Sequence, residues 1–231
     1  MKEIWLSPSD LSYLWNDSKL GFYDKYVMGV QRPSQPFPGV FNSIMNAMKE
    51  CFEGKTLSQV YEKDKFGDIC NNAPSGTVYC PGMYVKSKLI DLGEFKVGFS
   101  GKINCLLKDG EDVSVFDFRT IENNPKLAEN YFLHYMAYAL CLENPLVGDP
   151  QKISNLGMVT YNPKSFGLIS DSGSLYGDLE WVNVPINKEK FKKWIVTDLK
   201  SLLMSKRENI FQTATDKSYE KYVDAFFEGE E

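Results

Sequence analysis

The sequence predicts a mixed α/β fold in one domain over residues 1–231, with a central mixed sheet of about five strands flanked by helices. Three observations carry this expectation. Apolar residues recur at helical spacing near the N-terminus and again over Lys126–Glu143 and Lys188–Lys206. The middle of the chain, Thr77 to Phe118, is instead rich in Val, Ile, Phe and Tyr and is punctuated by a Lys108-Asp109-Gly110 turn signal. Hydrophobic residues at 43% and charged residues at 25% are ordinary for a globular chain of this length and argue against disorder.

The elements follow in order. Ser7-Pro8-Ser9-Asp10 has the form of a helix start, with Ser7 as N-cap, Pro8 at the first helical position and Asp10 reaching back in a capping-box arrangement. Leu11, Leu14 and Trp15 keep helical spacing, Asn16-Asp17-Ser18 interrupts it, and Phe22, Tyr23, Tyr26 and Val27 resume it until Gly29, which predicts a bent or broken helical pair. These aromatics are read as core. Gln31–Pro38, with three prolines, is expected as an irregular loop, and Phe41, Ile44, Met45, Met48 and Phe52 line a helix closed by Gly54. A shorter helix from about Leu57 to Phe66 is expected next. Thr77–Leu92, Phe95–Leu107 and Val113–Phe118 are read as strands of a meander, and Lys126–Glu143 as a helix packed on them. Leu156–Tyr161 and Leu179–Val184 are expected as strands, and Lys188–Lys206 as an amphipathic helix carrying Phe191, Trp194, Ile195, Leu199 and Leu202.

Bulk properties exclude several function classes. With 26 Lys and Arg against 31 Asp and Glu, the net charge of −5 implies no polyanion partner from the total alone, so a nucleic-acid surface has to be a local patch. The lysine-rich helix holding Lys188, Lys190, Lys192, Lys193, Lys200, Lys206 and Arg207 is diluted by Glu189, Asp198 and Glu208 and is read as a solvated face. Cys51, Cys70, Cys80, Cys105 and Cys141 are odd in number and contain no C-x-x-C pair, so they are expected as reduced, mostly buried thiols. No signal peptide and no apolar stretch long enough to span a bilayer is present, which makes cytoplasm the expected location and membrane an unexpected partner.

The stretch GKINCLLKDGEDVSVFDFRT, Gly101 to Thr120, holds the candidate chemistry. Residues two apart on a strand share a face, so Asp117 and Arg119 point together with Val113 and Val115, which should form an apolar floor. The hairpin turn brings Asn104 opposite residues 115 to 117, and Tyr138 lies one helical turn after His134.

Several motifs in this order resemble the RecB-like branch of the PD-(D/E)XK nuclease superfamily, which includes the CRISPR adaptation exonucleases. LSPSDLSYLWNDSKLGFYDKYV resembles the opening "SPS-x-L" helix and later "FY" of that branch, GKINCLL its "G-x-I-D" strand, VFDFRT its "hhDYKT" strand, and HYMAY its "QxxxY" helix. The matches cover residues 5 to about 162. The resemblance implies a restriction-endonuclease-like core, DNA as partner, and a Mg²⁺ or Mn²⁺ site for phosphodiester hydrolysis. Within it, Asn104 and Asp117 stand at the two metal-binding acids and Arg119 at the lysine that orients or activates water. His134 and Tyr138 stand at the glutamine and tyrosine that steady strand and DNA.

Almost every chemical position departs from that pattern. Asn104 removes a negative charge, and an amide oxygen is a poorer partner for Mg²⁺ than a carboxylate, so metal should bind weakly. Arg119 stays protonated and cannot serve as a base, though its fork can grip a phosphate. Met45 stands where some relatives carry a histidine ligand, Ser18 stands near the first cysteine of cluster-bearing members, and no cysteine follows Cys141. No iron-sulfur cluster is expected. Three readings stay open: a DNA-binding or assembly subunit that has lost hydrolysis, an active metal-dependent DNA exonuclease using Asp117 and a carboxylate relocated to Glu50 or Glu53, and an assembly subunit unrelated to nucleic acid.

Overall fold

The computed structural model describes residues 1–30, 39–57, 73–169 and 172–213. The expected loop Gln31–Pro38 and nearly all of the expected helix from Leu57 to Phe66 lie outside them. The fold is mixed α/β, as predicted, and its sheet of five strands is joined by a second, smaller sheet.

A strand, β1 (Lys2–Leu6), opens the chain and buries Ile4 and Leu6. Five residues are too few to establish a period, so the sequence pattern does not announce this strand. The helix start at Ser7-Pro8 is where expected, and α1 runs Pro8–Ser12, but the capping box does not form. The Ser7 backbone N–H donates to the Tyr26 hydroxyl at 2.9 Å, while Asp10 accepts from Lys25 Nζ at 2.6 Å and from the Tyr26 hydroxyl. An ammonium and a phenol together offer the carboxylate stronger partners than one backbone N–H. After α2 (Leu14–Asp17), Ser18 breaks the helix and caps α3 (Lys19–Tyr23) by accepting from Gly21 N at 3.0 Å. A π turn, Asp24–Met28, carries the helix to Gly29, whose φ of 78° only glycine adopts without strain. The expected bent pair is therefore present.

The central strands are β2 (Thr77–Tyr79), β3 (Met83–Lys86), β4 (Ile90–Asp91), β5 (Phe95–Ile103), β6 (Cys105–Asp109) and β7 (Asp112–Thr120). The segment expected as one strand over Thr77–Leu92 divides in three; the first break, between β2 and β3, falls where Pro81 has no N–H for a ladder and Gly82 turns at φ 54°. Two long strands follow later, β8 (Lys152–Ile169) and β9 (Ser172–Val184). In the smaller sheet β5 lies between parallel β1 and antiparallel β3, with β4 also on β5. The larger sheet has the order β2-β6-β7-β8-β9, with only β7 and β8 parallel. Gly110 at φ 59° closes the β6–β7 hairpin where the turn was expected. Beyond Thr120, the last residue of β7 paired with β8, the β8–β9 hairpin runs on and exposes Phe166 and Leu168.

Helices cover both faces of the larger sheet. On one side α4 (Gly39–Phe52) packs Phe52 on Phe116, Phe118 and Val159. On the other, the crossover from β7 to β8 carries α5 (Leu127–Asn130) and α6 (Phe132–Glu143), and Val113, Val115, Leu156, Tyr135 and Met136 share a core with Trp15 and Phe22. The helix expected over Lys126–Glu143 divides at Tyr131, where φ is −98° and ψ 1°. The helix expected over Lys188–Lys206 is present as α7 (Lys188–Trp194), a π turn over Ile195–Leu199 and α8 (Lys200–Met204). After the extended Ser205 a separate helix follows, α9 (Arg207–Thr213), where Arg207 reaches the buried carboxylate of Asp24 through two hydrogen bonds of 2.8 and 2.9 Å. Among the described residues no helix is long and apolar enough to cross a membrane.

β5 and β6 would be one strand but for Asn104. Ile103 and Leu106 both face the larger core although they are three residues apart, and an unbroken strand would turn them to opposite faces. Asn104 is thus the joint at which the chain leaves one sheet for the other.

Candidate functional site

Alternation along β7 builds the site. Phe116 and Phe118 point to the α4 side, so Asp117 and Arg119 point with Val113 and Val115 to the α6 side. Arg119 NH2 lies 3.0 Å from Asp117 Oδ2, an ion pair whose arginine and aspartate side chains are only 17% and 12% exposed. The register carries Cys105 opposite Phe116, one step short of Asn104 opposite Asp117, and Asn104 Nδ2 donates to Asp117 Oδ2 at 3.4 Å. Since an ionised carboxylate only accepts, the amide nitrogen has to face it.

His134 and Tyr138 arrive on α6, one turn apart, with ring centroids at 5.1 Å. His134 Nδ1 donates to the Pro8 carbonyl at 3.0 Å, which leaves Nε2 as an acceptor 3.5 Å from Arg119 NH2. Burial, then the Arg119 charge, lower the His134 pKa from 6.5 to about 3 against the opposing Pro8 bond, so the ring is neutral. The Tyr138 hydroxyl donates to Lys102 O at 2.9 Å, beside the Asn104 joint. Gly101 makes that approach possible: a Cβ there would lie 2.8 Å from Pro8 Cδ and 3.0 Å from the Tyr138 hydroxyl oxygen. All five expected site residues therefore meet, on Val113 and Val115 as floor.

Three tyrosines complete the site that sequence reasoning did not assign to it. Arg119 NH1 donates to the Tyr13 hydroxyl at 3.1 Å, Tyr13 and Tyr131 hydroxyls are 3.1 Å apart, and the guanidinium lies 5.1 Å from the Tyr131 ring centroid. The Tyr135 hydroxyl and Arg119 Nε lie close enough to influence each other's charge, yet both are buried without a hydrogen bond of regular geometry among the described residues. A signal was present, since Tyr131, His134, Tyr135 and Tyr138 recur at helical spacing on one face. For Arg119, burial favours loss of the proton, but Asp117 and the neighbouring phenols outweigh it and raise the pKa. Burial likewise raises the Tyr131 and Tyr135 hydroxyls, so both stay protonated at neutral pH.

These residues fit a divalent cation poorly. Asp117 is the one carboxylate of the cluster, its Oδ2 is shared by Arg119 and Asn104, and the formal charges of Asp117 and Arg119 cancel. Among the described residues no three His, Cys, Asp or Glu side chains converge in a metal-binding group. Glu53 instead accepts from the Cys80 backbone N–H at 2.7 Å, and with Glu50, Asn46, Lys49 and Cys80 it lines a hollow of about 570 Å³. Ser18 serves as a helix cap and Met45 lies on α4. The lysine-rich helix is mostly solvated: Lys188 pairs with Glu143 at 2.8 Å and Lys192 and Lys193 are exposed, while Arg207 is engaged with Asp24.

No protein-family model matches the chain, and no curated protein matches it. Among solved structures, the crystal structure of SSO0001 aligns with 87% of this chain and 77% of its own at 11% identity and a TM-score of 0.39. A superposition that loose carries no argument about fold or function.

Proposed function

We propose that this chain is a RecB-like member of the PD-(D/E)XK superfamily that holds DNA through a phosphate contact and has weakened or lost metal-dependent hydrolysis. The observation that supports the reading is the convergence, from three separate elements, of Asn104, Asp117, Arg119, His134 and Tyr138, the positions that the motif resemblance singles out. Hydrolysis in such a site needs a cation between two acids and a group that can take a proton from water. Here Asn104 supplies no charge, Arg119 stays protonated, and His134 has its bare nitrogen turned to Arg119. Mg²⁺ or Mn²⁺ would meet one shared carboxylate beside a fixed positive charge, and binding would be weak.

Arg119 is the group suited to a phosphate. Its fork can replace the Tyr13 contact with a phosphate oxygen while Asp117 keeps it oriented, and its Nε makes no hydrogen bond of regular geometry among the described residues. The test is fluorescence anisotropy of labelled single-stranded and duplex DNA in the presence of a chelator, followed by a cleavage assay with Mn²⁺. Expected are binding that weakens with salt, a several-fold loss in Arg119→Lys, and no cleavage or very slow cleavage. Absence of binding to both DNAs at low salt would overturn the DNA assignment. Cleavage abolished by Asp117→Ala would overturn the loss of hydrolysis and direct attention to Glu50 and Glu53.

A further inference from the structure

Two cysteines outside the site stand opposite each other on paired strands. β2 and β6 pair antiparallel with Thr77 opposite Lys108, Val78 opposite Leu107 and Tyr79 opposite Leu106, so the next step sets Cys80 opposite Cys105. The side chains complete that step, with the two sulfurs 3.0 Å apart and both thiols free. Residues directly opposed on antiparallel strands have Cα atoms about 4.5–5.5 Å apart, within the roughly 4.4–6.8 Å that a disulfide spans. Bond formation therefore asks the two sulfurs to close from 3.0 Å to about 2.05 Å. β2 is also held in place independently: Gly54 N donates to Val78 O at 2.9 Å, Val78 N to Lys55 O at 2.8 Å, and Cys80 N to Glu53 Oε2 at 2.7 Å.

The two thiols differ in access. Cys105 is fully buried against Phe116, Val78 and Leu107, whereas Cys80 is partly exposed at the rim of the hollow lined by Asn46, Lys49, Glu50 and Glu53. An accessible thiol backed by a buried one suits a two-step exchange, the first to attack and the second to resolve. The remaining described cysteines have no such partner nearby: Cys51 is exposed on α4, and the Cys141 thiol donates to Phe99 O at 3.4 Å.

We propose that Cys80 and Cys105 form a reversible dithiol–disulfide couple, a modification site for low-molecular-weight disulfides of the glutathione type. Cys80, as thiolate, attacks one sulfur of the disulfide and expels one glutathione thiolate. Cys105 then attacks Cys80 Sγ in the mixed disulfide and expels the second. Two electrons pass from the cysteine pair to the reagent, which leaves as two thiols, and the proton of each cysteine ends on a departing glutathione. The bond ties β2 to the residue next to the Asn104 joint and closes a ring from residue 80 to residue 105, which restricts the unfolded chain. The proposal is independent of the nuclease reading.

The test is incubation of the folded full chain with glutathione disulfide, trapping of free thiols by alkylation, and peptide mapping without reduction, with fragment spectra that separate Cys70 from Cys80. Expected are a Cys80–Cys105 linked peptide, an intact mass lower by two hydrogen atoms, a thermal midpoint higher by several degrees, and reversal by dithiothreitol. Cys80→Ser should remove the cross-link and the shift together. The proposal is overturned by a glutathione adduct that persists on Cys80, by Cys80 linked to Cys51 or Cys70, or by both thiols remaining open to alkylation after Cys51 has reacted.

Discussion

Acid should destabilise this protein through one side chain, and His134→Asn should remove the effect. His134 is the only histidine in the chain, so between pH 7 and pH 5 no other side chain has its ordinary pKa in the window. In the fold its pKa falls from 6.5 to about 3, because burial and then Arg119 disfavour the charged ring. The folded value lies below the unfolded one, so the unfolded chain binds the proton first. Stability is full above about pH 6.5 and is lost as the pH falls towards about 3. From pH 7 to pH 5 the loss is about 2 kcal/mol, at about 1.4 kcal/mol per pH unit below the unfolded pKa. Urea titrations at pH 7, 6 and 5 measure it as a falling midpoint at constant slope. In His134→Asn the amide nitrogen can keep the bond to the Pro8 carbonyl, so the variant should be less stable at pH 7 but nearly flat from pH 7 to pH 5. A wild type as flat as the variant, or a variant as steep as the wild type, would refute the claim that a neutral, enclosed His134 backs Arg119.

Two further predictions rest on packing and on thiol placement. Gly101→Ala should destabilise by about 1–3 kcal/mol, since the added methyl meets Pro8 at 2.8 Å and the Tyr138 hydroxyl at 3.0 Å; a change in urea midpoint equivalent to less than ~0.5 kcal/mol would show that α1 and α6 do not press on β5 there. The purified protein should contain no iron and have no visible absorption band, because among the described residues no three thiols converge: Cys80 faces Cys105 alone, Cys51 is exposed on α4 and the Cys141 thiol donates to Phe99 O. A brown protein with about four irons per chain would contradict this.

Much of the site was legible because it rests on strand and helix periods. A period of two placed Asp117, Arg119, Val113 and Val115 on one face of β7, and a helical turn placed His134 beside Tyr138, as found. The Lys108-Asp109-Gly110 turn fixed the hairpin that brings Asn104 to Asp117. What the sequence withheld depends on tertiary contacts. Tyr13, on the N-terminal helices, meets Arg119 across 106 residues of chain, and no local period encodes such a meeting. The capping box failed because Asp10 found Lys25 and Tyr26, partners supplied by the bend after Ser18. β1 was missed because it becomes a strand through its pairing with β5, and the smaller sheet with it. The expectation of mostly buried thiols holds for Cys105 and Cys141, whereas Cys51 is exposed because it lies on the outer side of α4, away from Phe52.

In the proposed function Arg119, without a second acid, takes the place of chemistry based on a divalent cation. Calorimetric titration of Mn²⁺ into the wild type and into Asn104→Asp combined with Arg119→Lys is the decisive experiment. In the wild type the formal charges of Asp117, Arg119 and Asn104 cancel, whereas the double variant carries a net −1 there, with Asp117 Oδ2 freed from the guanidinium NH2 that now pairs with it. Expected are wild-type binding no tighter than ~1 mM and a gain of at least about tenfold, or about 1.4 kcal/mol, in the double variant. Wild-type binding near ~1 μM that disappears in Asp117→Ala would contradict it.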